Sequence, residues 1–132
     1  MPEKKWILCV DDDDDDRDFI CEAVKEIDPT VDVLHASNGL LACNMLTAFT
    51  ETHEFPCLII MDINMPIMNG REALAKIKSK RELEEIPVVM FSTSSHISDR
   101  KFCEQYNVEL VTKPGNMKII KKEVKRLLTH CS

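Results

Sequence analysis

Cys57-Leu58-Ile59-Ile60-Met61-Asp62 decides the fold. Five apolar residues run without alternation and stop at a carboxylate. A strand with one wet face would alternate apolar and polar residues. This run therefore reads as a strand buried on both faces, as in a parallel sheet covered by helices on either side. Working outward, two more runs have the same character. Trp6-Ile7-Leu8-Cys9-Val10 stops at Asp11, and Pro87-Val88-Val89-Met90-Phe91 stops at Ser92. Val31 to Ala36 alternates like a half-buried strand, and Val108 to Val111 is a last short one. Between these runs, apolar residues recur at helical spacing. Phe19, Ile20, Ala23, Val24 and Ile27 mark a helix from Asp16 to Ile27, which Asp28-Pro29 ends because proline cannot continue it. Leu40, Leu41, Met45, Ala48 and Phe49 form a second stripe, and Ala73, Leu74 and Ile77 a third. Ile97 to Tyr106 is weaker, and Ile119, Ile120, Val124, Leu127 and Leu128 close the chain. Five strand–helix units in strict alternation predict an α/β domain with a parallel sheet and right-handed crossovers.

The 132 residues are expected to form one domain, residues 1–132, since chains of about 100–200 residues usually do. Hydrophobic residues make up 44% and charged residues 30%, which excludes a disordered chain. The 17 basic against 23 acidic residues give a formal charge of −6, and an acidic surface repels phosphate backbones. Direct nucleic-acid binding is therefore not expected. No apolar run approaches the roughly 20 residues a bilayer span needs, and the N-terminus lacks a signal-peptide pattern. These features predict a cytoplasmic protein with no membrane partner. The six cysteines at 9, 21, 43, 57, 103 and 131 contain no CxxC spacing. They are expected to be reduced, mostly as small buried hydrophobes, with Cys103 and Cys131 the exposed ones open to a disulfide.

Ligands of an open parallel sheet bind outside the carboxyl ends of its strands. Asp11 and Asp12 follow the first strand, Asp62 the third, Ser92 and Thr93 the fourth, and Thr112, Lys113 and Pro114 the fifth. Three carboxylates, a hydroxyl and an ammonium thus emerge on one edge. Two carboxylates about 4 Å apart repel by about 4 kcal/mol at an effective dielectric of 20. A hard divalent cation resolves this, and Mg²⁺ takes oxygen ligands while keeping waters that a phosphate oxygen can replace. Lys113 adds a second positive group for a phosphoryl oxygen. Asp62 can then act as a nucleophile that forms an aspartyl phosphate.

These residues resemble a known family. Ile7-Leu8-Cys9-Val10-Asp11-Asp12, Asp62-Ile63-Asn64-Met65-Pro66-Ile67-Met68-Asn69-Gly70, Pro87-Val88-Val89-Met90-Phe91-Ser92 and Thr112-Lys113-Pro114 look like the receiver domain of bacterial two-component response regulators, of the stand-alone kind similar to the chemotaxis regulator. The match runs from about Trp6 to Leu128. It implies a flavodoxin-like (βα)5 three-layer sandwich with strand order 2-1-3-4-5. It implies that Asp62 is the phospho-acceptor and that Asp12 holds Mg²⁺ directly, with Asp11 acting largely through water and Asn64 through its backbone carbonyl. Ser92 matches the hydroxyl that bonds the phosphoryl group, Lys113 the family's lysine, and the Lys113–Pro114 bond is often cis. Two positions depart from the pattern. Leu110 stands where an aromatic switch residue is common, so activation is expected to rely on Ser92 without a ring swinging in behind it. Tyr106 stands where a glycine often ends the fourth helix, so Asn107 is expected to supply the left-handed stop one residue later.

Neighbouring features carry plainer readings. Asp13 to Asp16 read as a solvated acidic start of a helix, favoured there by the macrodipole. An EF-hand loop over Asp11 to Glu22 fails, because Asp16 occupies the place where glycine must make the turn. The methionines read as packing residues, the four histidines lie too far apart for one site, and Gly70 reads as backbone freedom before the third helix.

Together these readings predict a phosphorelay module. A sensor histidine kinase or a histidine phosphotransfer protein is expected to pass a phosphoryl group to Asp62. The face of helix 4, strand 5 and helix 5 is then expected to control a protein partner, since no output domain follows residue 132. Homodimerisation is left open. The chain is not expected to be an enzyme beyond Mg²⁺-assisted self-phosphorylation and self-dephosphorylation. The alternative is an Mg²⁺-dependent phosphohydrolase with an aspartyl-phosphate intermediate. It needs a second carboxylate two residues after the nucleophile, where this chain has Asn64.

Overall fold

The computed structural model describes residues 5–93 and 96–132. Five strands, β1 (Trp6–Val10), β2 (Asp32–Ala36), β3 (Leu58–Asp62), β4 (Val88–Ser92) and β5 (Glu109–Thr112), alternate with five helices. These are α1 (Asp14–Ile27), α2 (Gly39–Thr50), α3 (Gly70–Ser79), α4 (Ile97–Gln105) and α5 (Lys121–Leu127). The sheet is wholly parallel in the order β2-β1-β3-β4-β5. This is the flavodoxin-like order the resemblance implied.

Alternate residues of the central strands feed two cores. Leu8, Val10, Ile59, Met61, Val88 and Met90 pack towards Leu46, Leu74, Ile77 and Cys103 of α2, α3 and α4. Ile7, Cys9, Leu58, Ile60, Val89 and Phe91 pack towards Ile20 and Val24 of α1 and Val124 and Leu127 of α5. All five residues of β3 and of β4 are buried, as their continuous apolar runs required. Among the described residues no helix is long and apolar enough to cross a membrane.

The second helix departs from its expected face. Gly39, Ala42, Cys43 and Leu46 are the buried residues of α2, while Leu40 and Leu41 are exposed. The large apolar side chains suggested one stripe, but the first turn of α2 lies so close to the loop before α3 that no side chain fits at Gly39, and this sets which face turns inward. A Cβ on Gly39 would stand 2.7 Å from the Met68 carbonyl oxygen. The fifth helix is also shorter than its stripe suggested. A 3₁₀ turn at Met117–Ile119 precedes it, another at Leu128–Cys131 follows, and Ile119 is exposed. Asn107, with φ of 57°, supplies the left-handed residue after α4 as expected. Among the described residues there is no cis peptide bond, so Lys113–Pro114 is trans, contrary to the family's habit.

The cysteine expectation fails at one pair. Cys57 and Cys131 form a disulfide, and Cys131 is buried, as is the free Cys103. The turn after α5 folds back under the sheet and meets the chain where it enters β3, a juxtaposition that spacing along the sequence does not reveal. The bridge spans 74 residues, for which the chain-entropy account gives about 4.4 kcal/mol, and disulfides typically contribute about 2–4 kcal/mol. Reduction with dithiothreitol is expected to lower the melting temperature of the wild type by about 6–20 °C, since a kcal/mol is worth about 3–5 °C at this size. Cys131→Ser should melt at the reduced wild-type temperature with or without reductant. Identical melting of oxidised and reduced wild type would remove the bridge from the account of stability.

Candidate functional site

Register places the site. Val10 of β1 lies beside Met61 of β3, so Asp11 and Asp62 leave neighbouring strands side by side. Asp62 pairs with Phe91 and Ser92 with Thr112, which puts Ser92 and then Lys113 on the same edge. The Lys113 backbone N–H donates to the Ser92 carbonyl at 2.7 Å, which fixes the lysine over the end of β4. Ser92 itself is wholly buried.

Lys113 is the centre of the cluster. Its buried ammonium donates to Asp11 Oδ2 at 2.7 Å and to Asp16 Oδ2 at 2.9 Å, and stands 3.6 Å from Asp62 Oδ2. Asp11 has its other oxygen engaged as well, since Oδ1 accepts the Asp13 N–H at 3.0 Å. Burial pushes the Asp62 carboxyl up to about 6, helped by the Asp11 and Asp12 charges and opposed by Lys113. Asp11 is also pushed up by burial, although its bond to Lys113 works the other way. For Lys113 burial favours the neutral amine, but the bonds to Asp11 and Asp16 and the Asp62 charge outweigh it and hold the ammonium well above its ordinary value.

Asp11, Asp12 and Asp62 offer carboxylate oxygens that all lie within 4.8 Å of one another. Asp11 and Asp62 are buried and Asp12 is exposed, so the group opens to solvent on one side. An all-oxygen donor set with an open side fits a hard divalent cation that keeps part of its water shell. Asn64 lies exposed in the loop directly after β3. That loop is anchored by the Gly70 N–H, which donates to the Ile63 carbonyl at 2.8 Å. Asn69 and Glu72 then form a reciprocal cap that starts α3. Gly70 has no positive φ, so its role is not the conformational freedom expected of it. A Cβ there would lie 2.2 Å from the Asp62 carbonyl oxygen, so it is glycine because the helix start touches the Asp62 backbone. Leu110 sits half-buried on β5 beside Met90 and lines a cavity of about 300 Å³ between α4 and β5 with Arg100, Cys103 and Val108.

The acidic run splits into separate jobs. Asp13 caps α1 by accepting the Asp15 and Asp16 N–H groups, and Asp14 pairs with Arg17 on the surface. Asp16, expected to be a solvated residue, instead turns inward to Lys113. A signal existed in the sequence. With Asp13 as cap, Asp16 is the third helical residue, whose side chain characteristically reaches back past the cap. Here that direction is over the end of the sheet.

The comparisons agree with this geometry. Residues 7–125 match the model of the response regulator receiver domain, so the chain belongs to that family, the receiver modules of two-component phosphorelay signalling. Response regulator Rcp1 of Synechocystis is 33% identical over 123 residues, which span 91% of this chain and 84% of Rcp1. Histidine kinase P4 of Formosa agariphila is 35% identical over 129 residues, 97% of this chain but only 9% of the kinase. The phosphorylated cyanobacterial phytochrome response regulator RcpA superposes with a TM-score of 0.87 at 32% identity, over 96% of this chain and 92% of RcpA. The Mn²⁺-bound form of Rcp1 superposes at 0.82 over 95% of this chain and 92% of that one.

Proposed function

We propose that this chain takes a phosphoryl group from a phosphohistidine onto Asp62 and thereby changes its α4–β5–α5 face to control a protein partner. The observation that carries the reading is the buried Lys113 ammonium set among Asp11 and Asp62, with exposed Asp12 at the open side of the group. In the transfer an Asp62 carboxylate oxygen attacks phosphorus, the phosphorus–nitrogen bond of the donor breaks, and the imidazole leaves with the electron pair. A divalent cation, Mg²⁺ in this reading, supplies charge neutralisation and in-line positioning when bound. Asp12 and Asp62 would hold it directly with the Asn64 carbonyl. Asp11, whose two oxygens already have partners, would act through water. Lys113 and the Ser92 hydroxyl would receive the phosphoryl oxygens. Leu110 leaves the buried side of the switch without an aromatic ring, so Ser92 would carry the signal to β5. The donor would be a sensor kinase or a phosphotransfer protein met in the cytoplasm. The chain would turn over no external substrate, since Asn64 gives it no second carboxylate for acid–base help.

Acetyl phosphate with Mg²⁺ is the test. Intact mass is expected to rise by one phosphoryl group, and chelation of the cation should prevent it. No uptake at any cation concentration would sink the reading. Cation binding has its own check, amide NMR during an Mg²⁺ titration. Trp6 is a poor reporter, because it stacks on Phe49 at the far end of β1, about 15 Å of strand away from Asp11. Asp12→Ala should weaken the cation about tenfold or more, the usual cost of losing a charged ligand partner. An unchanged titration would show that the cation sits elsewhere.

A further inference from the structure

Lys113 has one more carboxylate partner than the proposed transfer uses. The ammonium carries three protons. Two are taken by Asp11 and Asp16, at 2.7 and 2.9 Å, while Asp62 at 3.6 Å is within ion-pair reach but beyond a good hydrogen bond. The pair on the α1 side therefore holds the lysine off the phospho-acceptor. A phosphoryl group on Asp62 would bring more negative charge and three further oxygens to the third proton. The lysine must then give up, or share, one of its two partners. Asp11 yields less readily, because it is almost wholly buried and its second oxygen is fixed by the Asp13 N–H. Asp16 is the partner with access to water, on the first turn of a helix whose positive end stabilises the charge left behind. We propose that Asp16 is a positioning residue: it is the resting partner of Lys113 and competes with the phosphoryl group on Asp62 for that ammonium.

This inference rests on the phosphoryl-acceptor reading and is tested by beryllofluoride binding at saturating Mg²⁺, followed by fluorine NMR. Asp16→Asn keeps the shape and removes the charge, and Asp16→Ala removes the side chain. Both are expected to tighten beryllofluoride about 3–10-fold, the scale of one partly screened ion pair. Asp15→Asn changes the same charge one residue away on the exposed side of the helix and should change affinity less than about twofold, as screened surface charges do. In a Lys113→Gln background the Asp16→Asn gain should likewise fall below about twofold, because coupled residues are not additive. Equal effects of Asp15→Asn and Asp16→Asn, the same gain with and without Lys113, or no gain at all, would each overturn the role of Asp16. Failure of the wild type to bind beryllofluoride is a different result, and it would remove the acceptor reading beneath it.

Discussion

Asp62→Asn is expected to do two opposite things: abolish phosphoryl uptake and raise the stability of the protein at pH 7. The first follows from chemistry, since an amide has no anionic oxygen with which to attack phosphorus. The second follows from the site's electrostatics. Burial, with the charges of Asp11 and Asp12 behind it, raises the Asp62 carboxyl from 3.8 to about 6 in the folded protein. A raised carboxyl means that the folded state binds a proton more tightly than the unfolded chain. Stability is therefore lost as pH rises from about 4 through about 6, and the whole penalty stands at pH 7. Asparagine carries no such charge, and Lys113 keeps Asp11 and Asp16 as partners. The variant should gain about 1–3 kcal/mol at pH 7 without divalent cation, or about 3–15 °C in melting temperature. The gain should vanish near pH 4. It should shrink when Mg²⁺ is added, because a ligand that binds only the folded wild type stabilises it. Melting curves at pH 4 and pH 7 decide the matter. An asparagine variant that melts below the wild type at pH 7, or one that still gains a phosphoryl group, would contradict the assignment of Asp62.

Gly70→Ala should be the most damaging single methyl group that can be added near the site. The position is the first residue of α3 and its φ is ordinary, so alanine meets no backbone strain there. The cost is steric. The new Cβ would lie 2.2 Å from the Asp62 carbonyl oxygen, 2.7 Å from Met90 Cε and 2.9 Å from Ile63 Cα. Met90 can swing aside, but the backbone of Asp62 and Ile63 belongs to β3 and its exit, buried between both cores. Overpacking of this kind costs about 1–3 kcal/mol, and more where backbone must move. The shift falls on the residue that would accept the phosphoryl group, and about 1 Å of misplacement can slow a reaction about 10²-fold. Phosphoryl uptake should therefore drop at least about tenfold even where the variant is fully folded. Gly115→Ala is the matched control, since nothing lies within 4 Å of a Cβ there. If both variants melt and react like wild type, the close approach of α3 to Asp62 is not what fixes the acceptor.

Strand runs and their end residues were the most legible part of the chain. A run such as 57–62 has one physical interpretation once its length and apolar continuity are known, and strand ends lie on one edge of a parallel sheet whatever the details of packing. Asp11, Asp12, Asp62, Ser92 and Lys113 could thus be gathered before any coordinates. The family pattern added the strand order and the acceptor role proposed for Asp62. Helix faces were less legible. In α2 the larger residues, Leu40 and Leu41, drew the reading to the wrong side, because hydrophobicity measures what can be buried and not how closely a neighbour approaches.

By itself the sequence determined the alternation of strands and helices, the two-sided burial of the sheet and the row of functional groups along its edge. These depend on local periodicity and on a topological rule, and both are written along the chain. Only the tertiary structure decided which acid of the run serves Lys113, why residue 70 must be glycine, and that Cys57 meets Cys131. Two of those join segments more than 70 residues apart and the third closes the loop between β3 and α3, and each is set to within an ångström by packing. No spacing or propensity encodes a distance of that kind.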